Sequence, residues 1–221
     1  MSTPVEAGEP EKRRLTQAGR RTRERIVETA AELMFHRGAG GTSIPDIQAA
    51  AGVSASQIYH YFGDKQGLIL AVINHQTESK IVQQGPLLDG LDSIEALREW
   101  CDMAGDRQDA LGCVGGCEIG SLAGELADGD QATRMVLVAA FDRWEGPIRS
   151  GLARMQTRGE LSENADVAAL ATALMAAIQG GMLLSQVRRS STAYRQAVSA
   201  AIDHIESHLV RYRGGGAVSS V

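Results

Sequence analysis

Residues Thr42–Lys65 read TSIPDIQAAAGVSASQIYHYFGDK, and their punctuation predicts two short helices around a tight turn. Thr42 or Ser43 caps the first. Pro45 falls in its first turn, where a missing N–H has no helical partner to lose, and the helix closes near Ala51. Gly52 supplies the turn. Ser54 caps the second helix, about Ala55–Tyr61, and Gly63 and Asp64 break the chain before another helix opens at Lys65. Val53, Ile58 and Phe62 are the apolar residues that face back onto a preceding helix.

That preceding helix is signalled upstream. Ile26, Ala30, Leu33 and Met34 form one stripe at helical spacing, which predicts a helix near Thr22–Arg37. Gly38 stops it, and residues 38–41 form a loop. Residues 1–19, with Pro4, Gly8, Pro10 and many charges, read as a disordered arm.

Downstream the pattern stays helical. A fourth helix is expected over Lys65–Gln84, with Leu68, Ile69, Val72 and Ile73 inward and Gly85-Pro86 as its end. A fifth starts at Asp92, with Glu95 in capping-box spacing, and carries Leu97, Trp100, Cys101 and Ala104. The glycine-rich run LGCVGGCEIG leads into a short helix over Ile119–Leu126. A long seventh helix, Gln131–Arg158, keeps Leu137, Phe141, Trp144, Ile148, Leu152 and Met155 in register, with a kink expected near Arg143–Gly146 from Pro147. An eighth opens at Asn164 or Asp166 and reaches Arg189; a ninth runs Thr192–Arg211 with Val198, Ile202, Ile205 and Leu209 in register. Residues 212–221 read as a disordered tail. The expectation is an all-α chain of about nine helices: a three-helix helix-turn-helix head, residues 20–66, on a larger body, residues 67–211.

Composition agrees. The 221 residues are 43% hydrophobic, enough for a sizeable core and too much for global disorder. Few aromatics and much alanine favour helix over sheet. No uninterrupted apolar run approaches membrane-spanning length, and MSTPVEAGEPEKRR lacks the apolar core of a secretion signal. A cytoplasmic location without a membrane partner is expected. The net charge of -5 argues against nucleic acid, but its distribution does not. Lys12, Arg13, Arg14, Arg20, Arg21, Arg23 and Arg25 crowd the first 25 residues, a basic arm on an acidic body. The bland alternative is a solvated tail.

Two short helices around a glycine turn are a helix-turn-helix signature. The strings TRERIVETAAELMFHRG and TSIPDIQAAAGVSASQIYHYFGDKQGLI, with Tyr59-His60-Tyr61-Phe62, Lys65 and Leu68, go further. Over this span the chain resembles the TetR family of bacterial regulators. It departs from the family pattern at Gln48, where a small alanine is usual, and at Ala55, Ser56 and Gln57, where Lys, Gly or Thr types are usual.

A recognition helix in the major groove offers its N-terminal side chains to base edges. Ala55, Ser56, Gln57, Tyr59 and His60 are the candidates, Gln57 being able to pair bidentately with adenine. Thr42, Ser43, Tyr61 and Lys65 are placed to hold phosphates, Lys65 at a helix N-terminus. Arg20 and Arg21 are candidates for phosphates or a neighbouring minor groove. Ser54 is a cap first and a DNA contact second. Ile58 and Phe62 read as core, Tyr61 as partly core, and His60 alternatively as merely exposed.

The resemblance implies a homodimer through the last two helices. Ala169, Ala173, Ala177 and Gly181 offer a small-residue face for it, or else an internal seam. It also implies a body pocket for a small hydrophobic or aromatic effector, with helix four as the lever to the head. Candidate lining residues are Trp100, Cys101, Met103, Cys113, Cys117, Ile119, Phe141, Trp144, Met175, Gln179 and Met182, with ordinary core as the alternative for each. The Gly-Cys opening of helix six resembles a LmrA/YxaF-like subgroup that includes regulators of drug-efflux genes. The implied function is a ligand-responsive repressor that binds a pseudo-palindromic double-stranded operator as a dimer and is released by the effector.

Other chemistries find little support. GxSxG, Walker A, dinucleotide and HExxH motifs are missing, so no enzyme activity and no cofactor is expected. Three cysteines are too few for a disulfide scaffold. Cys113 and Cys117, read as i and i+4 on a helix, leave a redox-sensing regulator or a thiol oxidoreductase as alternatives. Their CxxxC spacing without a histidine cluster is not that of a zinc site. A non-specific architectural DNA binder fits poorly with the acidic net charge. Activation rather than repression stays open.

Overall fold

A computed structural model describes residues 15–210. Over these residues it has nine helices and no strand: α1 (Gln17–Arg37), α2 (Ile44–Ala51), α3 (Ala55–Phe62), α4 (Lys65–Leu88), α5 (Ile94–Ala110), α6 (Glu118–Leu126), α7 (Gln131–Thr157), α8 (Val167–Arg188) and α9 (Thr192–Glu206). The expected basic residues Lys12, Arg13 and Arg14, most of the expected arm and the tail fall outside the described residues.

The head is held from within. Ile26, Ala30 and Met34 of α1, Ile47 of α2, Ile58 of α3, and Leu68 and Val72 of α4 share one buried core. Ser43 caps α2 and Ser54 caps α3, each in a reciprocal capping box, with Asp46 and Gln57 respectively. Gly52, at φ 63°, makes the left-handed turn between them, and its N–H donates to the Gln48 carbonyl. Arg23 lies 5.2 Å from the Phe62 ring centre, so one basic residue of α1 packs on α3.

Several sequence expectations need correction. α1 begins at Gln17, capped by Thr16, so the expected arm is already helical at residues 17–19. α4 does not stop at Gly85-Pro86 but runs to Leu88. Pro86 costs a single helical bond in the last turn, while Leu88 and Leu91 just beyond it are buried and draw the chain inward. α5 is capped by Ser93, whose hydroxyl accepts from the Ala96 N–H at 3.1 Å. Asp92 is instead taken by Arg154 (3.3 Å) and Arg158 (2.9 Å) of the α7 end. α9 ends at Glu206, and Leu161 and Leu209 form an isolated bridge beyond it.

α8 and α9 pack closely. Gly181 explains how: a Cβ there would lie 2.8 Å from the Tyr194 Cα. Gly181 therefore serves the internal seam, the second of the two readings its spacing allows, and Ala177 is half-buried. α8 is long and apolar enough by length and mean composition to span a membrane, although Thr172, Gln179 and Ser185 interrupt its apolar run, as the sequence reading has it. The physical reason is that α8 is apolar on two sides. One side meets α7 and α9. The other presents Ala169, Ala173, Ala176, Gly180, Leu183 and Val187 to solvent at alternating spacings of four and three.

The body hangs on the turn between α4 and α5. A Cβ at Gly151 would stand 1.7 Å from the Leu91 carbonyl oxygen. Two backbones cannot yield as a flexible side chain does, so Gly151→Ala is expected to lower stability by about 3 kcal/mol. That corresponds to roughly 6–12 °C in thermal midpoint, read by circular dichroism. A midpoint unchanged within 2 °C would show that α7 can move off the turn at little cost.

Candidate nucleic-acid interface and body cavity

The α3 face divides as its spacing requires. Ile58 is fully buried, and Phe62 and Tyr61 are half-buried against the core. Ser54, Ser56, Gln57, Tyr59 and His60 are exposed, and Ala55 is half-exposed. Tyr59 is 50% exposed. Gln57 is more constrained than its sequence suggests. Its Oε1 accepts from the Ser54 N–H at 2.9 Å, so bidentate pairing with adenine requires the capping box to open. The Ser54 and Ser56 hydroxyls lie 2.9 Å apart.

Two expected phosphate ligands have other work. Thr42 is fully buried, and its hydroxyl donates to the Gly38 carbonyl at 2.8 Å, closing the α1–α2 loop. Lys65 donates from Nζ to the Ala39 carbonyl at 2.7 Å. Lys65→Ala would therefore disturb the head itself and is not a clean probe of DNA contact. Ser43 is exposed but is engaged with Asp46, whose carboxyl is held below its usual range by the Ser43 hydroxyl and N–H. Arg20 donates to the Leu15 carbonyl at 2.9 Å; Arg21 is exposed.

A cavity of about 530 Å³, partly open to solvent, lies between α1, α4, α5, α6, α7, α8 and α9. Of the predicted pocket residues, Trp100, Met103, Cys117, Trp144 and Met182 line it. A second cavity of about 460 Å³ shares Cys117 and Met182 and adds Phe141 and Gln179. The other four candidates line neither. Cys101 is buried beneath Tyr194, whose hydroxyl donates to its carbonyl at 3.1 Å. Cys113 sits in a left-handed turn, its carbonyl held by Arg189 at 3.1 Å. Ile119 is core, and Met175 is buried with its sulfur 3.9 Å from Gln179 Nε2. Sequence reasoning missed Phe35, Gln84, Gln108, Ile178 and Tyr194 on the larger cavity's wall. Burial periodicity alone cannot distinguish a cavity wall from a filled core.

The thiols are not arranged as expected either. Cys113 precedes α6 and Cys117 is its N-cap, so the two are not i and i+4 on one helix. All three cysteines are free and buried. Burial pushes the Cys101 thiol up to about 12 and raises that of Cys117. A raised thiol pKa leaves little thiolate at neutral pH, and thiolate is the reactive form. All three thiols are buried from solvent, so the expected result is that millimolar peroxide at pH 7 leaves DNA binding unchanged in the wild type and in Cys113→Ser/Cys117→Ser. A loss restored by dithiothreitol and absent from the double variant would establish a thiol switch.

α6 runs from the cavity to the head. Its N-cap, Cys117, touches both cavities. Glu118 beside it meets Lys80 of α4 at 2.9 Å. At the other end, Glu125 accepts from the Ala39 N–H at 2.7 Å and also from the Gly40 N–H. The Ala39 peptide is thus held on both sides, by Glu125 at its N–H and by Lys65 at its carbonyl. Glycine at position 40 leaves room for this, since a Cβ there would come within 2.9 Å of the Glu125 carboxylate.

A short exposed helix seated by a glycine turn on a three-helix head, above an all-α body, defines a helix-turn-helix regulator. Comparison with known proteins agrees. Residues 26–72 match the model described as bacterial regulatory proteins, tetR family. Residues 93–201 match that of the tetracyclin repressor-like C-terminal domain. The chain is 30% identical over 173 residues to an uncharacterised HTH-type transcriptional regulator in the lacX 3' region of Lactococcus lactis, spanning 76% of this chain and 85% of that one. It is 26% identical over 175 residues to the uncharacterised HTH-type regulator YxaF of Bacillus subtilis, spanning 77% and 88%. The crystal structure of a TetR transcriptional regulator from Chloroflexus aurantiacus superposes with a TM-score of 0.73 at 28% identity, covering 88% of this chain and 98% of that one. The chain belongs to the TetR family and is a helix-turn-helix transcriptional regulator.

Proposed function

We propose that the protein is a ligand-gated repressor that acts as a homodimer in the cytoplasm. Two heads bind a pseudo-palindromic operator with half-sites about one helical turn apart or more. Ser56, Tyr59 and His60 face bases, with Gln57 reading through its free amide nitrogen. Arg21 and the exposed hydroxyl groups at the α2 and α3 N-termini face phosphates. The second copy docks on the solvent-facing seam of α8, from Ala169 through Leu183 to Val187. Its spacing of four and three is that of helices meeting along a narrow apolar stripe.

The observation that carries the gating is the course of α6, from Cys117 on the cavity wall to Glu125 on the α1–α2 loop. An effector that displaces Cys117 shifts a rigid nine-residue helix whose far end grips the head. α4 contributes as the second connection, through Lys80 at the cavity and Lys65 at the head. This extends the expectation that α4 alone is the lever. The effector binds the body state whose heads mismatch the operator, so effector and DNA weaken each other by one common factor.

Selection of bound sequences from random DNA tests this reading. Enrichment of a two-fold related pair of half-sites, lost in Leu183→Asp/Val187→Asp together with the dimer in sedimentation, is expected. Enrichment of a single half-site, or of no sequence, would contradict it.

A further inference from the structure

A glycine inside a helix is costly relative to alanine, so each one asks for a reason. Within the described helices, a Cβ would meet nothing within 4 Å at Gly85, Gly124, Gly146 and Gly180. Gly85 and Gly146 stand directly before Pro86 and Pro147. A proline ring crowds the side chain of the residue before it, which accounts for those two. Gly124 of α6 and Gly180 of α8 have no such reason, and no atom of their own chain excludes a side chain there.

Both glycines line the second cavity, of about 460 Å³. It is a groove between α6, α7 and α8 whose outer rim, Ser121, Gly124, Gly180 and Leu183, is exposed. Cys117, Phe141 and Met182 stand deeper in it, and no charged residue lines it among those described. Leu183 is 60% exposed. The groove is continuous with the solvent-facing apolar face of α8, since Gly180 and Leu183 belong to both.

We propose that a second copy of this chain fills this groove with apolar side chains, so that the interface between copies extends from α8 across the groove onto α6. This rests on the reading of the protein as a homodimer that docks through α8. The two glycines remove side chains from the rim and let the partner approach the helix backbones. Its arrival takes the apolar wall out of water, which is the driving force for such contacts. α6 then meets three neighbours: the body cavity at Cys117, the head at Glu125 and the partner at Gly124. A shift of α6 therefore acts on the placement of the two heads relative to each other as well as on each head.

Gly124→Leu places a side chain where the partner sits and is expected to weaken dimerisation about tenfold or more in sedimentation equilibrium. In the Leu183→Asp/Val187→Asp background, where no partner is bound, the same substitution should hold or raise the thermal midpoint, because the space is open and leucine is the better helix former. Ser121→Cys supplies a footprint. A maleimide should label it about tenfold more slowly in the dimer than in the Leu183→Asp/Val187→Asp background, since a covered thiol is inert. Undiminished dimerisation of Gly124→Leu would overturn the proposal. Equal labelling rates would do the same and leave the groove open to a small molecule instead. A clear fall in midpoint in the monomeric background would show that the chain itself claims the space, and would also overturn it. In each of these cases the α8 docking reading survives, provided that Leu183→Asp/Val187→Asp dissociates the dimer. If that variant stays dimeric, or if the wild type is a monomer, the docking reading fails and this inference fails with it.

Discussion

Tyr59→Ala is expected to weaken operator binding about tenfold to a hundredfold, the equivalent of one or two good base-edge contacts. Stability should stay within about 0.5 kcal/mol of the wild type, as for most surface substitutions. The ring is half exposed on α3 and makes no hydrogen bond that the head depends on. The neighbouring Ile58→Ala should behave oppositely. Ile58 is fully buried among α1, α2 and α4, and truncating such a side chain costs about 2–5 kcal/mol. The head should then lose structure, and operator binding should fail because the fold fails. Gel-shift titration paired with thermal melting separates the two. Equal melting losses in both variants, or undiminished DNA binding in Tyr59→Ala, would remove this face from the interface.

Glu125→Ala is the second large effect. Both carboxylate oxygens of Glu125 hold backbone N–H groups of the α1–α2 loop, and hydrogen bonds to an ionised acceptor are stronger than neutral ones. Without them, α6 can shift without moving the head. Allosteric coupling typically changes affinity 5–150-fold. In Glu125→Ala, the loss of operator affinity caused by a cavity ligand is expected to shrink to within about threefold. Ligand affinity itself should be unchanged, because Glu125 lies at the far end of α6 from the cavity. Glu125→Gln keeps one acceptor oxygen for two N–H groups and should retain part of the coupling. Coupling of full size in Glu125→Ala would leave α4 as the sole connection.

What could be read from sequence divides along physical lines. Caps and turns are local, so Ser43, Gly52 and Ser54 were readable from spacing. Ile58 and the α1 stripe were readable because amphipathic period and burial coincide there. The burial of Thr42 and the head contact of Lys65 are not legible in the sequence, because their partners, the Gly38 and Ala39 carbonyls, belong to a loop whose return path has no sequence signature. Asp92 looked like a cap because its competing partners, Arg154 and Arg158, are more than sixty residues away. The same distance hid Glu125, whose partners lie 85 and 86 residues back. Pro86 reads as a stop, yet the burial of Leu88 outweighs one lost bond. The cavity was half readable. Trp100, Trp144, Cys117 and Met182 carry suitable side chains, but whether a buried residue borders empty space depends on how helices seat against one another. Gly181 shows the same limit, since a small residue at four-residue spacing fits an internal seam as well as an outer one.

The central claim is that the body cavity and the α3 face are energetically linked. Its most direct test is reciprocal titration. A compound chosen for tryptophan quenching is titrated against the protein with and without selected operator DNA. Operator affinity is then measured by fluorescence anisotropy with and without saturating compound. The linkage predicts that both affinities fall by the same factor, at least about fivefold. A compound that quenches both tryptophans and saturates the cavity, yet leaves operator affinity unchanged, would contradict it.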